Sequence, residues 1–173
     1  MSRHDDRLRV GLLDASHGDT HTRRNFRREL DAELVEFDVT EGDRPTGFEF
    51  DAVVITGSRA SVYWDEAWID PLVDYVADAH DRGVPILGVC YGHQVLAAAL
   101  DGRVESMGEY EIGYREVTRV GSDELLAGVP GTFTAFMSHS DAVTELPPGA
   151  DLLAENDYGI HAFRHGRAWG VQF

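Results

Sequence analysis

The stretch "PILGVCYGHQVLAAAL", Pro85 to Leu100, decides how this chain reads. It opens on a branched apolar run, passes through Gly88-Val89-Cys90-Tyr91-Gly92, and continues into small residues that close at Gly102. An apolar run bounded by turn residues reads as a buried strand, and the segment after it as a helix. Glycines two residues to either side of the cysteine form a G-x-C-x-G elbow. Such a turn holds its central residue in a strained backbone and needs glycine where a Cβ would clash. It sets Cys90, the only cysteine, at the carboxyl end of a central strand, where open α/β sheets bind ligands. A helix N-terminus there favours thiolate and lowers the thiol pKa. The amide of Tyr91 then points toward an oxyanion forming on a substrate, and Gly57 in "VITGSRAS" is the second donor. A lone cysteine is more often a small buried hydrophobe. The strand before it and the helix after it favour a nucleophile.

Working outward, "LRVGLLDAS" and "DAVVIT" read as buried strands and "ELVEFDV" as a strand with one solvated side. "THTRRNFRREL" and "DEAWIDPLVDYVADAHDRG" read as helices, the second with Pro71 early and Gly83 closing it. Strand and helix therefore alternate over residues 8–102. The fold class is α/β: an open, mostly parallel sheet with helices on both faces, flavodoxin-like. In the C-terminal half, "YREVTRV", "GTFTAFMSH", "DAVTEL", "DLLAEN", "GIHAFRHG" and "AWGVQF" are strand-like pieces between short polar turns, which predicts an antiparallel extension. No repeat or linker divides the chain, so residues 1–173 read as one domain.

The charge balance excludes several functions. There are 31 acidic residues against 15 basic ones, every basic one is Arg, and the net charge is −16. Nucleic-acid binding needs a positive footprint, so it is not expected. Acids spread among apolar residues read as the surface of a halophilic protein, with an ordinary acidic enzyme from a high-GC genome as the alternative, and not as an acidic tail. No apolar run reaches the ~20 residues of a membrane span. The polar start "MSRHDDRLRV" is not a signal peptide, and one cysteine cannot make an intramolecular disulfide. These features predict a cytoplasmic protein.

"GVCYGHQ" is similar to the nucleophile turn of the class I (triad-type) glutamine amidotransferases, G-x-C-x-G-x-Q. "VITGSRASVYWDEAWI" resembles that family's glycine turn, "FMSHSDAVTELPPGA" its Ser-His-Gly-Asp segment as in the glutaminase domain of GMP synthetase, and "AWGVQF" the strand leading into its His-Pro-Glu. The four landmarks run in family order over residues 50 to 173.

The resemblance implies that Cys90 attacks the side-chain amide of glutamine and forms a γ-glutamyl thioester. It implies an oxyanion hole from the Gly57 and Tyr91 amides, with Gln94 facing the glutamine and Ser138, Ser140 and Asp141 holding its amino-acid end. Ser58-Arg59 and Ser140 depart from the glycines that the family often has there. No cofactor is implied, and the partners are glutamine or a γ-glutamyl substrate and a separate synthase subunit that accepts ammonia. Two alternatives stand beside this reading: a stand-alone γ-glutamyl peptide hydrolase, and a binding or regulatory module without turnover.

The family's basic His and orienting Glu follow the segment that here ends at Phe173, so the expectation is a C-terminally truncated domain of low glutaminase activity. None of the eight histidines stands in that place. His93 reads as a buried or helix-surface residue, and His139 belongs to the substrate-binding segment. His161 and His165 alternate with Phe163 on one strand face; without a Cys or carboxylate ligand set beside them they read as structural rather than as a metal site. His4, His17, His21 and His80 have no motif around them. "GEYEIGYREV", Gly108–Val117, reads as a solvated strand face. Trp64 and Trp68 read as packing residues four apart on a helix.

Overall fold

The structure, a computed structural model, describes residues 7–173, so His4 lies outside it. Strands β1 (Arg9–Asp14), β2 (Glu33–Asp38), β3 (Ala52–Ile55) and β4 (Ile86–Val89) alternate with helices α1 (Thr20–Glu29), α2 (Ile69–Asp81) and α3 (Tyr91–Ala99). The four strands are parallel in the order β2-β1-β3-β4, and β9 (Ala168–Val171) adds parallel to β4.

Period-two alternation explains why helices cover both faces. Val10, Leu12 and Val54 point toward Phe26 of α1 and Leu30 at its C-terminal cap. Leu13, Val53, Ile55 and Ile86 point the other way, against Ile69, Leu72 and Val76 of α2 and Val95 and Leu96 of α3. The Asp19 side chain caps α1 by accepting from the His21 amide at 2.9 Å. Pro71 is the third residue of α2, where no intrahelical donor is needed, and Gly83 follows its end at φ +74°. Trp64 and Trp68 lie before α2, not on it. Trp68 is buried against His17 and Tyr91, whereas Trp64 is exposed. Among the described residues, no helix is long and apolar enough to cross a membrane.

The C-terminal half departs from an open sheet. β5 (Arg103–Arg119), β6 (Thr132–Glu145), β7 (Asp151–Asn156) and β8 (Gly159–His165) pair β5–β6, β6–β8, β8–β7 and β7–β5, all antiparallel. That circuit is a closed four-stranded barrel, which β8 joins to the parallel sheet through β9. The expectation of an open, mostly parallel sheet therefore describes only the N-terminal half, with β9 added. The physical reason is the length of β5 and β6. Strands of 17 and 14 residues accumulate twist until they curl onto a second pair. A register shift between Ser106 and Glu111, with Gly108 at φ +72° and Gly113 at φ +95°, bends β5 further. Val117, Met137, Leu153, Ala154 and Ala162 fill one end of the barrel. β6 runs unbroken through two pieces that read separately in the sequence.

His93 joins the two halves. It is wholly buried on α3, its Nε2 lies 2.9 Å from the Ile160 carbonyl oxygen of β8, and its ring packs 5.1 Å from Phe163. Burial pushes its pKa down to about 3. The unfolded chain takes this proton near pH 6.5 and the folded chain only near pH 3, so the contribution is complete above pH 6.5 and lost as pH falls. Lowering the pH from 7 to 5 is expected to remove about 2 kcal/mol through this residue. Denaturant titrations of the wild type and His93→Gln at the two pH values check this; equal pH dependence in both would refute it.

Candidate active site

The elbow is built by close backbone approach. A Cβ on Gly88 would strike the Gly92 carbonyl, and one on Gly92 would strike the Ile55 carbonyl and lie 2.8 Å from the Ile55 Cβ. Only glycine at both positions lets α3 start directly from β4 against the end of β3. Cys90 sits at the apex at φ +56°, ψ −105°, a strained conformation for a residue with a side chain. Its amide donates to the Val171 carbonyl at 2.8 Å, and its carbonyl accepts from the amides of His93 and Gln94. Gly57 lies so near that a Cβ there would be 3.6 Å from that of Cys90.

The half-buried thiol opens on a pocket of about 320 Å3, the size range of small-ligand sites. Cys90, Tyr91, Gln94, Ser138, Ser140 and Asp141 all line it, together with Ser58, Arg59, Ala60, Tyr110 and His139. Gly57 instead lines a neighbouring cleft on the far side of the glycine turn. The fold thus brings the named residues together around one pocket, apart from Gly57, which adjoins Cys90 but lines the neighbouring cleft.

Two of them are also committed to other protein groups. The Gln94 amide donates to the Asp141 carbonyl and to Gln172 Oε1, each at 3.2 Å. Gln172 in turn donates to Cys90 Sγ at 3.5 Å. The Asp141 carboxylate accepts from the Ser61 hydroxyl and from Tyr63 OH at 2.8 Å. Nothing local in the sequence marks Ser61, Tyr63 or Gln172 for these roles. Gln172 stands in "AWGVQF", and only its place on the strand beside the elbow gives it one.

The thiol environment differs from the expected one. Burial pushes the Cys90 pKa up, and hydrogen bonds from the Tyr91 amide and the Gln172 side chain only partly offset this. Desolvation outweighs both hydrogen bonds, including the one from the first amide of α3. Among the described residues, no histidine is hydrogen-bonded to the sulfur: His93 is tied to Ile160, His80 and His165 to each other, and His139 to Glu111 and the Asp141 carbonyl. The stretch Gly108–Val117 is not simply a solvated face, because Glu111 is fully buried while Tyr110, Ile112 and Tyr114 are exposed.

A strained thiol elbow, a pocket beside it and helices on both faces of a parallel sheet define a class of α/β proteins with a cysteine at the strand-to-helix turn. The chain belongs to the glutamine amidotransferase class-I family, whose profile matches residues 14–173. Over 125 residues it is 38% identical to a glutamine-hydrolyzing GMP synthase of Staphylococcus aureus. That match covers 70% of this chain but 23% of the synthase, so the chain spans under a quarter of that relative's length. A putative GMP synthase subunit of Thermoplasma acidophilum superposes with a TM-score of 0.78 at 25% identity, covering 98% of this chain and 85% of that one. A glutamine amidotransferase of Thermotoga maritima shares the fold, with a TM-score of 0.82 at 24% identity over 96% of this chain and 75% of that one.

Two outcomes follow from the elbow. Gly92→Ala is expected to destabilise the fold by roughly 3 kcal/mol, at the upper end of overpacking costs, because the new methyl meets backbone. Chemical denaturation measures this, and a loss below about 1 kcal/mol would contradict the close approach. Iodoacetamide modification of Cys90 is expected to rise with pH to a midpoint above that of a free thiol, and to shift higher still in Gln172→Ala. A midpoint below that of a free thiol in the wild type would refute the reading of the site.

Proposed function

We propose that the pocket binds glutamine and that Cys90 removes its side-chain amide nitrogen. Sγ forms a bond to the amide carbon, the C–N bond breaks, and ammonia leaves with the thiol proton. Water then cleaves the γ-glutamyl thioester, giving glutamate and the free thiol. The Tyr91 amide, which hydrogen-bonds the sulfur, and the amide of Gly57, which adjoins Cys90, are the donors assigned to the oxyanion. The Asp141 carboxylate and the Ser138 and Ser140 positions suit the ammonium end of an amino acid, and Arg59 is the one cation of the lining, suited to its carboxylate.

The observation that carries this reading is that the strained Cys90 apex and the Ser138–Asp141 segment, from opposite halves of the chain, line one pocket. The similarity to GMP synthases supports ammonia transfer to a separate GMP-synthase-type subunit. The same acyl-enzyme chemistry would serve γ-glutamyl peptides, with an amine in place of ammonia as leaving group. A second reading, a module that binds without turnover, is favoured by the absence of a histidine bonded to the thiol among the described residues.

A glutamine-mimicking diazo-ketone norleucine is expected to label Cys90 once per chain and to leave Cys90→Ser untouched. Ammonia release by the 173-residue chain should be slow at pH 7 and climb by up to about tenfold per pH unit as the thiol ionises. Failure to label the folded protein sinks the glutamine pocket. Labelling without any ammonia release favours the binding module, and release of amine from γ-glutamyl peptides alone favours the peptide hydrolase.

A further inference from the structure

The end of the barrel nearest the pocket holds a polar cluster to which each of its four strands contributes one side chain. Glu111 of β5 pairs directly across the ladder with His139 of β6, His161 reaches in from β8, and Asn156 stands on β7. All three titratable groups are buried: Glu111 0%, His139 6% and His161 1% exposed. His139 Nε2 lies 2.6 Å from Glu111 Oε2, and His161 Nε2 lies 3.2 Å from the same oxygen. Asn156 donates to Glu111 Oε1 at 2.6 Å.

Counting donors leaves a gap at the centre. The Asp141 carbonyl, 2.8 Å from His139 Nδ1, can only accept, so Nδ1 carries the hydrogen. A neutral His139 then presents the bare lone pair of Nε2 to a carboxylate oxygen. His161 makes no hydrogen bond at either ring nitrogen although it is fully buried. With His139 neutral, three Lewis bases meet within 4.8 Å of one another with no donor of suitable geometry between them.

We propose that Glu111, His139 and His161 form a divalent metal site, with zinc the ion that best suits two imidazoles and one carboxylate. The 3.2 Å between His161 Nε2 and Glu111 Oε2 is close to the ~3.3 Å that separates two tetrahedral ligands held about 2.0–2.1 Å from zinc. The two imidazole planes stand at 88°, with ring centroids 5.5 Å apart. Ligation would need His139 and Glu111 to open from their 2.6 Å contact by under about 1 Å. The outer contacts have the form that metal ligands use: the His139 Nδ1 hydrogen on a backbone carbonyl and an amide on the second carboxylate oxygen. Because His139 also lines the Cys90 pocket and precedes Ser140 and Asp141, the ion would lock the pocket wall to the barrel. This inference rests on the cluster alone and is independent of whether the pocket takes glutamine.

The test uses the full chain, stripped with EDTA and then given zinc or cobalt(II). One equivalent of bound metal, a raised melting temperature and the visible bands of tetrahedral cobalt are expected. His161→Gln should fold, since His161 has no hydrogen bond to lose, and should match the melting temperature of the stripped wild type. It should bind zinc roughly a hundredfold or more weakly, as loss of a ligand exceeds the roughly 10–100-fold cost of losing an outer contact. Equal zinc affinity in wild type and His161→Gln would overturn the site, because the metal would then sit on surface acids. Absence of stoichiometric metal together with an EDTA-insensitive melting temperature would also overturn it, leaving a proton shared by His139 and Glu111 as the central cation.

Discussion

The fold depends on one close approach: α3 leaves β4 with its first turn pressed onto the backbone of β3. Gly88 and Gly92 are the two positions where any side chain would stop that contact. The strained Cys90 costs on the order of 1–3 kcal/mol. Val95 and Leu96, fully buried on α3, offset it at about 1.5–3 kcal/mol each. The strain is therefore held in place by packing on the same short helix. Without that approach the thiol would not face the end of β3, and Gly57 would not adjoin it.

A second layer of order is polar and links four elements. Ser61 and Tyr63, after the glycine turn, bond the Asp141 carboxylate of β6. Gln94 of α3 bonds the Asp141 carbonyl and Gln172, and Gln172 bonds the thiol. Buried bonds of this kind are strengthened by the low local dielectric and are costly to leave half made. They explain why Gln94 and Asp141 read as binding residues in the sequence yet also serve as braces. Each fixes the geometry of a neighbour that faces the cavity.

The parallel half was legible because its signals are local. Short apolar strands, an early Pro71, a closing Gly83 and the spacing of Gly88, Cys90 and Gly92 each speak within a few residues. The barrel was not legible, because closure depends on β7 meeting both β5 and β8, and no local pattern encodes that pairing. The residues of the pocket are found through motif order, whereas Ser61, Tyr63 and Gln172 become visible only when distant strands meet. Glu111 shows the limit most clearly. In sequence it is one acid among exposed aromatics. The bend in β5 turns it inward to His139 and His161, which lie 28 and 50 residues further along the chain. The thiol pKa departs from expectation for a related reason. A helix terminus can be read from sequence, but the depth of burial that outweighs its first amide cannot.

Barrel closure also determines where this protein can be extended by another chain. β2 has one neighbour along its whole length, and β5 meets β7 only at Thr118 and Arg119, so β2 and the earlier part of β5 each carry an unpaired row of backbone donors and acceptors. Strand β2 carries Glu33, Glu36 and Asp38, with Glu36 held by Arg27 and Asp38 by Arg23 of the covering helix. An incoming strand would have to displace these ion pairs on a molecule of net charge −16. Charge thus guards the β2 edge against a further strand, while the register shift in β5 bends its unpaired edge away from a flat template.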